Sequence, residues 1–114
     1  MVRDNIGMKK LLFICSKNQW RSPTAEHVFA TYPNVETDSA GTNADAEVRV
    51  STEQILWADI IFVMERNHLK KLSTKFRAEL KNRKVICLGI PDNYQYMQQE
   101  LIDILQKKML PYLA

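Results

Sequence analysis

Only two cysteines, three glycines and four prolines punctuate the 114 residues, and no apolar run approaches the ~20 residues that a membrane-crossing helix needs. Cys15 and Cys87 stand far apart, which excludes both a disulfide scaffold and a Cys-x-x-Cys metal clamp. A reducing, cytoplasmic setting without metal or cofactor is therefore expected. The scarcity of glycine and proline excludes collagen-like and low-complexity architectures. A formal charge of only +3 falls short of a dedicated nucleic-acid binder, and neither nucleic acid nor a membrane is expected as a partner. The lysines scattered through 70–84 read as a solvated face.

What is present is ordinary for a soluble fold, with 46% apolar and 25% charged residues. The apolar run Leu11 to Cys15 is too short for the core of a secretory leader, and charged or polar residues follow it at once. Residues 1–7 read as an N-terminal extension, since Met8 offers a second start, and 8–114 as a single domain.

Three runs, Leu11–Cys15, Ile60–Met64 and Val85–Leu88, are apolar without polar alternation and rich in β-branched or aromatic residues. That pattern belongs to strands buried on both faces. Val35–Asp38 is a weaker fourth. Between them lie helical patterns. Ala25, Val28, Phe29 and Tyr32 share one face, with Ser22 as a candidate N-cap before Pro23. Residues 51–58 form a short helix capped by Ser51, and 66–81 one or two helical pieces. Met97, Leu101, Ile104, Leu105 and Met109 mark a final amphipathic helix. Strands alternating with helices predict a three-layer α/β/α fold around a four-stranded parallel sheet, with ligands at the strands' carboxyl ends.

The chemistry concentrates where the first strand ends. Cys15 is followed by Ser16, Lys17, Asn18, Gln19 and Trp20, then Arg21 and Ser22, as a helix begins. Five residues between a thiol and an arginine can wrap their backbone N–H groups around one tetrahedral anion, and the helix N-terminus adds partial positive charge. Arg21 can hold two phosphoryl oxygens in its planar fork. The thiolate is the nucleophilic form of cysteine, and a helix N-terminus beside an arginine is the environment that favours it. Ser22 can donate its hydroxyl to that sulfur and ease its departure.

The segment Leu11-Leu12-Phe13-Ile14-Cys15, then Asn18, then Arg21-Ser22-Pro23-Thr24-Ala25-Glu26, resembles the opening of low-molecular-weight tyrosine phosphatases. Ser39-Ala40-Gly41-Thr42 resembles the segment after that family's second strand, Ala58 to Glu65 its third-strand region, and Ile90-Pro91-Asp92-Asn93-Tyr94 its acid-bearing loop. The resemblance implies a phosphomonoester hydrolase, a cysteine-dependent phosphatase of the tyrosine-phosphatase type. Cys15 would attack phosphorus, Arg21 and the loop 16–20 would hold the oxygens, and Asp92 would serve as general acid and then base. Asn18 would adopt the left-handed backbone of the loop with Ser39 as its support, and Tyr94 would wall the substrate. The implied partners are a phosphorylated protein or a small phosphomonoester, with inorganic phosphate or sulfate able to occupy the loop.

Several positions depart from the family's pattern. Ser16 and Gln19 replace apolar walls, Lys17 replaces a glycine, and Trp20 stands where a second cysteine is usual. The stretch between Thr42 and Ser51 is short, and Asn93 replaces a proline. These changes imply a more polar slot, suited to a smaller or more polar phosphomonoester or to an open surface taking phosphopeptides. Two other functions share the loop: a non-catalytic phosphate- or phosphoprotein-binding module, and a thiol arsenate reductase. The latter needs a cysteine near Met64, which Cys87 does not supply. Cys87 reads as core packing, as does Trp57. His27 and His68 read as surface residues, and Glu65 and Asn67 as cap and turn residues. Trp20 either packs under the loop or borders its mouth.

Overall fold

The computed structural model describes residues 8–113, so the reading of residues 1–7 as an extension lies outside the described residues. Four strands, β1 (Lys9–Cys15), β2 (Val35–Gly41), β3 (Ile60–Val63) and β4 (Lys84–Cys87), pair in parallel in the order β2-β1-β3-β4. Five helices alternate with or follow them: α1 (Arg21–Phe29), α2 (Thr52–Trp57), α3 (Arg66–Lys75), α4 (Arg77–Leu80) and α5 (Gln99–Leu113). The expected α/β/α layering and parallel sheet are both present.

The layering follows from the period-two geometry of a strand whose two faces are both covered. Leu11, Phe13 and Cys15 enter one core cluster with Phe62, Phe29 of α1 and Leu101, Leu105 and Met109 of α5. Leu12 and Ile14 enter the other with Ile61, Val63, Ile55 of α2 and Leu72 of α3. Leu11 to Ile14 are fully buried, which is why β1 reads so clearly as a continuous apolar run.

The edge strands are less legible, and their departures from expectation have a common cause. β2 runs to Gly41, past the predicted Asp38, because an edge strand pairs along one side only and tolerates Thr37, Asp38 and Ser39. β4 is the other edge, and there Cys87 is exposed rather than packed in the core as expected.

The helix ends show similar detail. Ser51 caps α2 as predicted, accepting from the Gln54 N–H at 3.2 Å while Gln54 Oε1 accepts from the Ser51 N–H. Trp57, expected in the core, is half-buried against it. The segment 66–81 is two helices, broken at Phe76. Met97 does not begin α5. It adopts φ +60°, and its N–H donates to Thr24 Oγ1 at 2.9 Å, turning the chain before the helix starts.

Candidate active site

β1 ends at Cys15 and α1 begins at Arg21, so residues 16–20 form a loop between the carboxyl end of a central strand and a helix N-terminus. Helix α1 starts two residues earlier than expected, with Trp20 at the cap position, which frees Ser22 from capping. Ser22 Oγ instead lies 3.0 Å from Cys15 Sγ and accepts from Asn18 Nδ2 at 2.9 Å. The hydroxyl is thus fixed from behind and can donate to a thiolate.

Asn18 takes φ +57°, which asparagine tolerates better than most residues. Its amide also donates to Ser39 Oγ at 2.9 Å, and Ser39 donates to Glu26 Oε1 at 2.5 Å. A buried chain from Glu26 through Ser39, Asn18 and Ser22 therefore reaches the sulfur. Among the described residues, no backbone N–H of residues 16–20 donates to a protein acceptor, leaving these groups to face an anion.

Arg21 is 2% exposed, yet only one of its three guanidinium nitrogens is fully committed. Nη1 donates to Glu65 Oε1 at 2.7 Å and to the Ile90 carbonyl at 2.9 Å. Nε lies 3.6 Å from Asp92 Oδ1, beyond good hydrogen-bond length. Glu65 and Ile90 hold the guanidinium from behind, leaving Nε and Nη2 as the edge available for a bidentate grip. Glu65, expected only as a cap or turn residue, is the N-cap of α3 and the ion-pair partner of Arg21 as well.

The larger correction concerns His68, which is fully buried rather than a surface residue. Its Nδ1 accepts from the Glu65 backbone N–H at 3.0 Å, so Nε2 carries the proton in the neutral ring and donates to Ser16 Oγ at 2.9 Å. Burial and the nearby Arg21 guanidinium lower the His68 pKa to about 4, which keeps this neutral tautomer in place at neutral pH. Ser16 Oγ is then an acceptor toward His68, and its own proton has no protein acceptor among the described residues. Glu65 and His68 together brace the loop at both ends, at Arg21 and at Ser16. No sequence pattern pointed to this pair, because a histidine five residues beyond a strand carries no signal of burial. His27 does sit on the surface, 3.2 Å from Tyr96 Oη.

Cys15, Ser16, Lys17, Gln19, Trp20, Arg21, Asn43 and Asp92 line one cleft of about 270 Å³. Trp20 is exposed and borders its mouth. Asp92 projects into it with a side chain 56% exposed, on a stem fixed where the Ile90 N–H donates to the Met64 carbonyl. Three predicted site residues, besides the supporting Ser39, lie outside the lining. Asn18 is buried within the loop, Ser22 is buried behind the Cys15 sulfur, and Tyr94, expected to wall the substrate, is half-buried against the core cluster. Asn43 was missed, since it falls in the shortened 42–50 stretch for which no family position offered a guide. No group of three or more potential metal ligands occurs among the described residues, and no helix there is long and apolar enough to cross a membrane.

A thiol beneath a ring of free amides, with a braced arginine and a carboxylate at the rim, defines an oxyanion-binding α/β protein with a phosphatase-type loop. Residues 10–56 match the family model for low molecular weight phosphotyrosine protein phosphatase, so the resemblance carried by the loop and its flanks holds. No curated protein matches in sequence. Among solved structures the chain is similar to SP-PTP, a low molecular weight protein tyrosine phosphatase from Streptococcus pyogenes, at a TM-score of 0.76 and 18% identity, covering 94% of this chain and 95% of that one. It is similar also to the tyrosine phosphatase Wzb from Escherichia coli K30, solved with phosphate, at 0.66 and 21%, covering 88% and 90%. The YwlE arginine phosphatase from Geobacillus stearothermophilus matches at 0.66 and 20%, covering 93% and 98%. The fold is that of the low-molecular-weight tyrosine phosphatases.

Proposed function

We propose that this chain is a cysteine-dependent phosphomonoester hydrolase working through a phosphocysteine. The observation that carries this reading is the Cys15–Ser22 contact at 3.0 Å beneath a loop whose amides are free and whose arginine is braced. In the first step Cys15 Sγ bonds to phosphorus as the P–O ester bond breaks, and Asp92 gives its proton to the leaving oxygen. The loop amides and the Nε/Nη2 edge of Arg21 stabilise the equatorial oxygens. In the second step Asp92 takes a proton from water as it attacks phosphorus. The P–S bond breaks, and the Ser22 hydroxyl stabilises the departing thiolate.

The cleft wall sets the preference. With Ser16, Lys17, Gln19 and Asn43 lining it and Tyr94 turned into the core, it offers hydrogen bonds and one exposed aromatic ring, that of Trp20 at its mouth. The unspent Ser16 proton favours a substrate bearing an acceptor near its phosphate. Phosphorylated protein side chains and small polar phosphomonoesters both fit, in a cytoplasmic setting.

A panel of phosphotyrosine, phosphoserine, sugar-phosphate and aryl-phosphate esters tests the reading. Wild type should turn over at least one class, and Cys15→Ala none. Asp92→Asn should lower kcat by ~10²–10⁴-fold on phenolic esters while leaving phosphate affinity intact. Tight phosphate binding with no turnover of any ester would assign the chain to non-catalytic anion binding instead.

A further inference from the structure

Beside the catalytic cleft, the surface holds an open groove of about 450 Å³ between the 42–50 segment and α3. Its rim carries the exposed cations Arg49, Lys70, Lys71 and Lys75, and no carboxylate lines it. None of the four forms an ion pair among the described residues. Its floor is apolar, made by Val50, Leu72 and Phe76, all nearly buried. Thr42 contributes a buried Oγ1 with no hydrogen-bond partner, the single such side-chain atom among the described residues.

The groove adjoins the site chemistry directly. Lys71 Nζ donates to Asn43 Oδ1 at 3.3 Å, and Asn43 lines the cleft that holds Cys15. Lys70, Lys71 and Lys75 of this stretch, expected as a solvated face, thus border a concavity joined to the cleft by the Lys71–Asn43 contact. A solvated face needs neither the apolar floor nor the unpaired hydroxyl.

We propose that this groove is a substrate subsite that binds an acidic polypeptide segment adjoining the phosphorylated residue. The inference rests on the phosphatase reading and names its substrate class. Four cations without counter-ions match a run of Asp and Glu side chains. The apolar floor suits the aliphatic parts of an extended chain. A nucleic acid fits less well, because Phe76 is too buried to stack on a base and the lining offers no other aromatic ring.

Two phosphotyrosyl peptides, identical except that one has Glu and the other Gln at the residues flanking the phosphotyrosine, provide the test, with p-nitrophenyl phosphate as the small substrate. Wild type should favour the acidic peptide by ~10-fold in kcat/KM, mostly through KM, and the advantage should shrink as salt rises. The triple variant Arg49→Gln, Lys70→Gln, Lys75→Gln should lose that advantage and keep p-nitrophenyl phosphate turnover within ~2-fold, as charge changes remote from the chemistry leave it untouched. Equal rates for the two peptides in wild type, or an advantage that survives in the triple variant, would overturn the proposal. So would tighter binding of a 5′-phosphorylated oligonucleotide than of the acidic peptide. Fluorescence anisotropy of both peptides on Cys15→Ala and on its combination with the triple variant reads the groove without turnover. A failure of the phosphatase reading, seen as no hydrolysis by wild type, therefore leaves the subsite separately decided.

Discussion

At the scale of single residues, the informative group is one that attacks nothing. His68 was unreadable as a site residue because its burial depends on where α3 lies against the loop, a tertiary fact with no local signature. Cys15 and Arg21 were legible because their spacing between a strand end and a helix start is itself the chemistry, whereas Asp92 was named only through the family resemblance, and it lies in the same cleft as both. Ser22 was legible as a polar neighbour of the sulfur but was also taken for a helix cap, a role its hydroxyl cannot fill while committed to Cys15 and Asn18. The fixed tautomer of His68 has a thermodynamic consequence. Burial and then Arg21 disfavour its charged form, outweighing the opposing effect of Glu65, while Lys71 lowers and Asp92 raises it less, so the folded value of about 4 lies below the ordinary 6.5. The unfolded chain then binds a proton that the folded one refuses between those values. The stabilisation is complete above pH 6.5 and is lost as pH falls toward 4. Denaturant melts at pH 7 and pH 5 should show wild type losing ~2 kcal/mol more than His68→Gln over that interval. Parallel losses in the two proteins would mean that His68 titrates normally.

Among elements, the central strands were legible and the edges less so, for one reason. β1 and β3 are covered on both faces and must be apolar throughout, whereas β2 and β4 each pair along one side and admit polar residues. The end of β2 nonetheless meets the anion loop at a tight contact. A Cβ on Gly41 would come within 2.5 Å of the Ser16 carbonyl oxygen and 3.0 Å of the Asn18 backbone nitrogen, both atoms of the loop itself. Neither can swing aside as a side chain would. Gly41→Ala should therefore displace the loop, costing ~1–3 kcal/mol of stability by overpacking. It should also weaken phosphate binding, measured by calorimetry, beyond what the stability loss alone produces. An unchanged phosphate affinity would show that the loop shifts freely at that end.

For the whole molecule, the parallel sheet sets the carboxyl ends of β1, β3 and β4 toward one side, and the side chains invoked in catalysis follow from that topology. Cys15 ends β1 and Arg21 begins α1, Glu65 and His68 cap and open α3 after β3, and Asp92 comes from the segment after β4. The order of strands and helices was readable from periodicity. The bracing contacts between turns were not, since they join residues 44 to 69 positions apart. The central claim is that phosphoryl groups pass through the sulfur of Cys15. Rapid acid quench of the enzyme with a chromogenic aryl phosphate, followed by peptide mass analysis, tests it directly. A single phosphoryl group on the Cys15 peptide, formed within the first turnover and absent from Cys15→Ala, is the predicted result. Hydrolysis without that adduct, or with the phosphoryl group on another residue, would contradict the account.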